Sequence, residues 1–289
     1  MFREIVTWLT TSCPPSTRRL GYLQAAIGLE SRARRCRKDW AGHLEQCRQA
    51  VSKSVERCRR RRTALVLGSG LALEYPLAQL SAQFERVVLA DIVHLPAVRR
   101  LARRYSNVEL VACDLSGLAD ELLEIPAHST AADVAALVVN VPEFGRDDVD
   151  WVVSCNLLSQ LPLLPVAWLA RRCPQLDDND LERWGRTIMT RHLDWLGALD
   201  AERCLIADAE QFTRDRRGMI VEHADISAAF GLDRYAYASW EWKVAPPGEL
   251  PGGLSAAHRI VACHWPSSAA PAKIESLTLA HSNRDNDLK

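Results

Sequence analysis

The chain has 289 residues, of which 48% are hydrophobic and 25% are charged, and its 36 Lys and Arg balance 36 Asp and Glu. This length and composition predict a globular protein with one large core or two modest ones. No apolar run approaches the roughly 18 residues of a membrane span. The first residues place an acid inside a very short apolar stretch, which is not expected to act as a signal peptide.

The nine cysteines are scattered, with no C-x-x-C pair and no spacing typical of metal ligands. An odd, scattered set of cysteines predicts reduced thiols, because reducing compartments keep thiols free. We therefore expect a cytoplasmic protein without a metal site.

A helical segment is predicted within residues 18–60. Apolar side chains recur there every three or four residues, which places them in one stripe along a helix. The members of this stripe are Cys36, Trp40, Leu44, Cys47, Val51, Val55 and Cys58. We predict that residues 1–60 form a helical N-terminal extension or lid.

The same segment is strongly basic, with twelve Lys or Arg and three Asp or Glu between Arg32 and Arg62. These cations either form a solvated face, where those near the helix C-terminus interact favourably with the helix dipole, or form a surface for RNA or an acidic partner. No aromatic residues are interleaved with the arginines, which favours the solvated face.

From residue 61 onward, predicted strands and helices alternate, and this pattern is typical of a mostly parallel sheet with helices on both faces. The predicted strands lie near 64–68, 86–91, 108–112, 150–155 and 203–208. The predicted helices lie near 72–83, 94–104, 116–124 and 190–200.

Two further β-prone runs, 235–244 and 257–265, are separated by a segment rich in Pro and Gly. Such a segment continues neither a helix nor a strand, so the two runs predict a terminal antiparallel pair. The fold class is therefore α/β, a Rossmann-like sheet of seven strands, in a domain spanning 61–265. Residues 266–289 are predicted to be a flexible tail.

A glycine turn, Leu67-Gly68-Ser69-Gly70, follows the first predicted strand. Glycine permits a sharp turn and a close approach of the backbone to a ligand, and the next helix is expected to offer free N–H groups. Asp91 ends the second strand about 20 residues on, where an acid can accept hydrogen bonds from both ribose hydroxyls. Leu73 occupies the place where a dinucleotide fingerprint has a small residue, and no P-loop motif is present. The pattern thus predicts a nucleoside-like ligand.

These features, over roughly residues 60–265, resemble the class I S-adenosylmethionine-dependent methyltransferases. The resemblance implies that Gly68, Ser69 and Gly70 lie beneath the methionine part of this cofactor, with Asp91 on the ribose. It also implies that Asp114 and Leu115, after the third strand, lie beside the adenine. The exit of the fourth strand, 149–162, is similar to the fourth motif of the family and implies that Asn156 lines the site of the reactive methyl group.

The sequence departs from the family pattern at two positions. Val66 stands where the family often has an acid that contacts the methionine end of the cofactor, and Ala72 replaces the third glycine. Glu74, in the first turn of the predicted helix, is expected to replace the missing acid.

Methyl transfer requires alignment of a nucleophile behind the methyl group and exclusion of water, and a base only where the acceptor is protonated. Asn156 and Gln160 follow the fourth strand and are candidates for orienting an acceptor. Asp208 ends the fifth strand and is a candidate base or substrate clamp. Alternatively, these side chains cap helices or are solvated polar groups in loops.

The sequence therefore predicts S-adenosylmethionine-dependent methyl transfer to a small-molecule acceptor. An RNA or protein methyltransferase that uses the basic helix is an alternative. A catalytically inactive cofactor-binding or partner-binding protein of the same fold is another, and Val66 favours it. A synthase that transfers the aminoalkyl group of the same cofactor is a third.

Overall fold

The computed structural model describes residues 2–137, 144 and 148–266. Its strands are β1 (Thr63–Leu67), β2 (Arg86–Asp91), β3 (Val108–Ala112), β4 (Val149–Cys155), β5 (Glu202–Arg214), β6 (Ile220–Asp225), β7 (Ala236–Ala245) and β8 (Ser255–His264). Its helices are α1 (Phe2–Thr10), α2 (Pro15–Arg19), α3 (Tyr22–Arg35), α4 (Arg37–Arg57), α5 (Leu77–Gln83), α6 (Pro96–Ala102), α7 (Ala119–Glu124), α8 (Ala131–Ala135), α9 (Leu163–Arg172), α10 (Asp178–Ala198) and α11 (Ile226–Phe230).

The strands form one sheet in the order β3-β2-β1-β4-β5-β8-β7, and β6 pairs with β5 outside this order. Strands β1 to β5 run parallel, whereas β8 is antiparallel to both β5 and β7. The predicted Rossmann-like fold with a terminal antiparallel pair is confirmed. The eighth strand, β6, is an addition to the seven predicted, because β5 continues to Arg214 and pairs with the returning chain.

Helices cover both faces of the sheet and bury a core on each. On one face, α4 and α5 pack against side chains such as Val66 and Trp151. On the other face, α7, α9 and α10 pack against side chains such as Leu65 and Val152. Strands β1 and β4 are buried on both faces, which accounts for their continuous apolar sequence.

The helical segment predicted within residues 18–60 is confirmed and is divided at Gly21 and Cys36 into α2, α3 and α4. Its predicted stripe lies in the core of one sheet face, with all members buried except Leu44, which is partly buried. The division of the chain into a 1–60 extension and a 61–265 domain stays a prediction, and residues 267–289 of the predicted tail lie outside the described residues.

Half of the twelve cations between residues 32 and 62 pair with carboxylates. These six are Arg32, Arg34, Arg35, Arg48, Arg57 and Arg62. Arg62 donates from its guanidinium and from its backbone N–H to Asp150, at 2.7 and 2.8 Å, which ties the approach to β1 to the start of β4. Much of this basic segment therefore serves the fold itself.

The helix predicted at 72–83 begins only at Leu77, so the prediction is wrong for its first turn. Pro76 precedes α5, and a residue before proline is pushed out of the helical region. Ala72, with φ of 57°, also lies in the left-handed region. Glu74 is therefore in an irregular link and not in a helix.

Within the described ranges, no helix combines the length and the apolar character needed to cross a membrane. All nine cysteine thiols are free. No cluster of three or more His, Cys, Asp or Glu among the described residues is placed to hold a metal ion.

Candidate ligand-binding and catalytic site

The glycine turn and the acid that ends β2 are in direct contact. Gly68 and Gly70 both have positive φ, 69° and 49°, which side chains with a Cβ rarely adopt. The N–H of Gly70 donates to Oδ2 of Asp91 at 2.7 Å. A Cβ on Gly68 would lie 3.1 Å from that of Leu157, whereas one on Gly70 would have, among the described residues, only the Gly68 carbonyl oxygen within 4 Å, at 3.8 Å. The turn thus has space for a ligand beside Gly70 but not beside Gly68.

The carboxylate of Asp91 is partly buried and accepts one short hydrogen bond, from Gly70. Burial raises the pKa of Asp91, and the hydrogen bond from Gly70 opposes only part of that effect. Its second oxygen, Oδ1, has a long contact of 3.5 Å to the N–H of Val93. A carboxylate can accept about four hydrogen bonds, so Asp91 retains capacity for ligand hydroxyls.

Glu74 places a second acid near Asp91. Burial raises the pKa of the Glu74 carboxyl, N–H groups of Glu74 and Leu73 oppose this shift, and the charge of Asp91 adds to it. Two neighbouring acids with raised pKa values favour a cation between them, because the cation stabilises both ionised forms.

Two buried polar atoms beside this turn have no hydrogen-bond partner among the described residues, Oγ of Ser69 and Nδ1 of His94. Ser69 is 0% exposed and His94 is 1% exposed. Nε2 of His94 lies 3.2 Å from the carbonyl oxygen of Val111, so Nε2 carries the proton and Nδ1 is an acceptor. Buried polar groups normally find partners, and a bound ligand would supply them here.

Asp114 and Leu115 both make contacts within the fold itself. Asp114 accepts hydrogen bonds from the N–H and hydroxyl of Ser116 and from the N–H groups of Leu118 and Ala119. These four donors fill the acceptor capacity of the carboxylate, so contact with an adenine would require one of them to be released. Leu115 is buried in the core beside α7. Their roles at the adenine stay predictions.

The exit of β4 holds Asn156 in a conformation with φ of 49°, which asparagine tolerates better than most residues. Its N–H donates to the carbonyl of Ile206 on β5 at 2.8 Å, and the side-chain amide of Gln160 donates to its carbonyl at 2.6 Å. Gln160 is exposed and Asn156 is buried. Residues in such strained conformations are concentrated at functional sites.

His43 on α4 contacts Asn156, and sequence reasoning missed it. The His43 ring stacks on Trp242 with centroids 4.0 Å apart, and Nε1 of Trp240 donates to its Nδ1 at 3.1 Å. Burial lowers the pKa of His43 to about 3, so the ring is neutral near pH 7. The available signal was its spacing, three residues after Trp40 and four before Cys47, on the stripe of α4.

The protonation of His43 fixes the orientation of the Asn156 amide. Because Nδ1 of His43 accepts a hydrogen bond, the proton of the neutral ring is on Nε2. Nε2 lies 3.2 Å from Nδ2 of Asn156, so in this orientation two N–H donors face each other. The amide oxygen, Oδ1, is then buried without a hydrogen-bond partner among the described residues. Rotation of the amide removes both conflicts. The oxygen of Asn156 then faces His43, and its NH2 group is left as a donor for a ligand.

Asp208 on β5 contacts three side chains. Its Oδ2 accepts hydrogen bonds from the hydroxyl of Ser159 and, at 3.0 Å, from the amide of Gln211. Its Oδ1 lies 3.2 Å from Nδ1 of His258. Burial by itself would raise the pKa of Asp208, but His258, Ser159 and Gln211 bring it below its ordinary value. Asp208 is therefore ionised at neutral pH, and its lowered pKa makes it a weak base. Its role as a base or substrate clamp stays a prediction.

The exit of β4 connects the two candidate regions. Leu157 packs against the glycine turn, and Ser159 donates to Asp208. The predicted residues thus lie along one edge of the parallel sheet, the edge at which open α/β sheets bind ligands. Gly68, Ser69, Gly70, Asp91 and Asn156 lie at the carboxyl ends of β1, β2 and β4, and Asp208 lies just past the part of β5 that pairs with β4.

No protein-family model matches the chain, and no curated protein sequence matches it. Among solved structures, it is similar to N-methyltransferase NodS from Bradyrhizobium japonicum WM9 in complex with S-adenosyl-L-homocysteine, at 14% identity over 77% of this chain and 87% of that one, with a TM-score of 0.34. It is similar to the Burkholderia thailandensis 1,6-didemethyltoxoflavin-N1-methyltransferase, at 15% identity over 87% of this chain and 91% of that one, with a TM-score of 0.39. It is also similar to the 23S rRNA methyltransferase ErmE, at 12% identity over 77% of this chain and 71% of that one, with a TM-score of 0.32. At identities and TM-scores this low, the ligands and reactions named are properties of those proteins.

Proposed function

We propose that this protein binds S-adenosylmethionine at the carboxyl ends of β1 and β2 and transfers its methyl group to a small-molecule acceptor at the exit of β4. The observation that carries the proposal is the glycine turn with two positive φ angles, whose second N–H binds Asp91 at 2.7 Å. This arrangement leaves an acid with free acceptor capacity beside an open stretch of backbone. An adenosine with two ribose hydroxyls has the matching donors.

Electrostatics support a cationic nucleoside over a neutral or anionic one. S-adenosylmethionine carries a sulfonium and an ammonium group, and both Asp91 and Glu74 have pKa values raised by burial. A ligand cation between them would restore their ionised forms. The dinucleotide and P-loop alternatives would bring phosphates to this acidic turn.

The chain's own residues have distinct roles in the proposed reaction. Asp91 accepts from the ribose hydroxyls, Ser69 and His94 supply further polar contacts, and Glu74 binds the ammonium group. When bound, S-adenosylmethionine supplies an electrophilic methyl group, so the protein must align the acceptor and exclude water. Asn156 orients the acceptor through its NH2 group, and Gln160 supports the backbone of Asn156.

Asp208 positions the groups around the acceptor.

Half of the basic residues between 32 and 62 are engaged in ion pairs within the chain. A small-molecule acceptor is therefore favoured over RNA. The free thiols support a cytoplasmic location.

Isothermal titration calorimetry of the full chain with S-adenosylmethionine and S-adenosylhomocysteine tests the proposal. We expect saturable binding of both compounds, with NAD as a matched adenosine-containing control that does not bind. Binding of NAD alone, or of none of the three, would contradict the proposal. Tight binding of S-adenosylhomocysteine without methyl transfer to any acceptor in a metabolite extract would instead indicate an inactive cofactor-binding protein.

The RNA alternative is tested by the salt dependence of binding to a structured RNA. An RNA surface built from several of these cations loses affinity steeply as the salt concentration rises, with a slope that counts the phosphates contacted. We expect weak binding with a shallow slope. A steep slope that is reduced by Arg59→Gln and Arg60→Gln would support the RNA alternative.

A further inference from the structure

His258 on β8 faces the Asp208 carboxylate with Nδ1, and neither this nitrogen nor Oδ1 of Asp208 has another partner among the described residues. Its Nδ1 is 3.2 Å from Oδ1 of Asp208, and 16% of its side chain is exposed, compared with 5% for that of Asp208. Asp208 is ionised, so the proton of the neutral His258 ring is stabilised on Nδ1. Nε2 then carries the lone pair and is the basic atom of the pair.

A β-bulge brings these side chains together. In the pairing of β5 with β8, Asp208 is opposite Ile260 and Gln211 is opposite His258, and the register shifts between Asp208 and Glu210. In a regular strand, residues three apart point to opposite faces. The extra residue in the bulge puts Asp208 and Gln211 on the face that His258 occupies. Bulges of this kind are frequent next to active sites, where they redirect side chains.

The groups that face His258 are few and are of defined charge. Asp208 on β5 is ionised, and His43 on α4 is neutral, with a pKa of about 3. The ring of Trp242 on β7 approaches edge-on, with centroids 6.1 Å apart. The neighbouring Arg259 binds Glu210 and Asp233, and as the adjacent residue of the strand it points to the opposite face. Asp208 is thus the one ionised carboxylate that contacts His258 within the described part of the chain.

The pair also lies at the correct end of the sheet for chemistry at the exit of β4. Ser159 joins Asp208 to the exit loop, and Leu157 of the same loop packs against the glycine turn. An acceptor held beside His258 would therefore face a ligand held at the turn across this loop.

We propose that His258 is the general base of the reaction, oriented by Asp208, and that the acceptor carries a weakly acidic O–H or N–H group, as a phenol does. This inference rests on the proposed function, and it assigns Asp208 a positioning role. Nε2 of His258 takes the proton of the acceptor while the acceptor lone pair forms a bond to the methyl carbon. The carbon–sulfur bond breaks, its electron pair stays on sulfur, and S-adenosylhomocysteine leaves. Asp208 stabilises the imidazolium until its proton is released to water.

The tautomer of His258 can be measured without any substrate. Nitrogen-15 NMR of the histidine rings, with the His258 signals identified by their loss in His258→Gln, should show the Nδ1–H form in the neutral ring. Asp208→Asn should shift the neutral ring toward the Nε2–H form, because the carboxylate no longer faces Nδ1. The Nε2–H form in the wild type, or a tautomer that Asp208→Asn leaves unchanged, would overturn the assignment.

Proton transfer is tested with para-nitrophenol, whose anion absorbs visible light. At a pH below the pKa of the free phenol, and with S-adenosylhomocysteine present, the wild-type protein should produce the phenolate band. His258→Gln should reduce this band at least tenfold. His223→Gln is the matched control, since His223 is on β6 and is paired with Glu210, and it should leave the band unchanged. No band with the wild type, or an equal band with His258→Gln, would overturn the proposal.

The two proposals can fail separately. If calorimetry shows no binding of S-adenosylhomocysteine, the proposed function fails, whereas a His258-dependent phenolate band in its absence would still support a proton-abstracting site. If S-adenosylhomocysteine binds and the band is absent, only the assignment of His258 fails.

Discussion

Asp91, partly buried at the end of β2, and Asp208, buried within β5, are two acids of one sheet whose pKa values are shifted in opposite directions. Asp91 has one short hydrogen bond, from a backbone N–H, and a raised pKa. Asp208 has three side-chain partners and a lowered pKa. Side chains of the chain surround Asp208, whereas Asp91 accepts hydrogen bonds only from backbone N–H groups among the described residues. An acid without side-chain partners in the folded chain is suited to a ligand, and one that has them is suited to positioning its neighbours.

The largest expected effect is on the turn that serves Asp91. Gly70→Val should weaken binding of S-adenosylhomocysteine at least a hundredfold, about 3 kcal/mol, because a branched side chain strains the positive φ and fills the open side of the turn. Calorimetry measures this. Gly28→Val is the control, since Gly28 lies in α3 with no atom near its missing Cβ. Near wild-type affinity in a folded Gly70→Val variant would remove the turn from the ligand site.

Asp91→Asn should weaken the same binding by about 1–3 kcal/mol, since the ribose hydroxyls lose a charged acceptor. It should also increase the free energy of unfolding of the ligand-free protein at neutral pH. The folded pKa is raised, so ionised Asp91 costs stability above its unfolded pKa, and that cost disappears as the pH falls through the folded pKa. Urea denaturation measures the second effect, with the exposed Asp120→Asn as the control. If Asp91→Asn left the affinity unchanged, Asp91 would not be part of the ligand site.

Asp208→Asn should have the opposite effect on stability. Its folded pKa is lowered, so ionised Asp208 contributes stability above its unfolded pKa that is lost as the pH falls through the folded value. We expect a loss of about 1–3 kcal/mol at neutral pH and a smaller difference in acid, with affinity for S-adenosylhomocysteine unchanged. Denaturation at both pH values checks this. If the variant were as stable as the wild type, the contrast between the two acids would not hold.

Replacement of His43 should have the smallest effect on stability at neutral pH, and the effect should increase as the pH falls. The pKa of His43 is about 3 in the folded protein, against an ordinary 6.5, so the unfolded chain binds the extra proton between these values. Stability should therefore fall with decreasing pH by up to about 1.4 kcal/mol per pH unit. His43→Gln should reduce this slope. The slope should not vanish, because buried His192, whose pKa is lowered to about 4, contributes in both proteins.

The centre of the sheet could be predicted from the sequence because β1 and β4 are buried on both faces and are continuously apolar. The apolar and β-prone runs predicted β1 to β5 close to where they begin, and the stripe of α4 predicted the face that this helix buries. The contact between Gly70 and Asp91 was also predictable, because two adjacent parallel strands must present their carboxyl ends side by side.

The second half of the site depends on contacts that local pattern does not encode. Asp208 and His258 are far apart in the chain, and their meeting requires an antiparallel register with a bulge that no local residue pattern announces. The helix predicted at 72–83 begins only at Leu77, because Pro76 disfavours a helical conformation in the residue before it. The orientation of Asn156 follows from the protonation of His43, which only the packing of α4 on β7 determines.

The stripe of α4 fills the same core as Val66, Trp151 and Ile206, and this placement restricts how the molecule can open. A helix that swung outward would expose a broad apolar surface on the central strands to water. Entry and exit of ligands are thus left to the loops at the carboxyl edge. A protein shortened to begin near residue 61 would lose one wall of its interior and should self-associate.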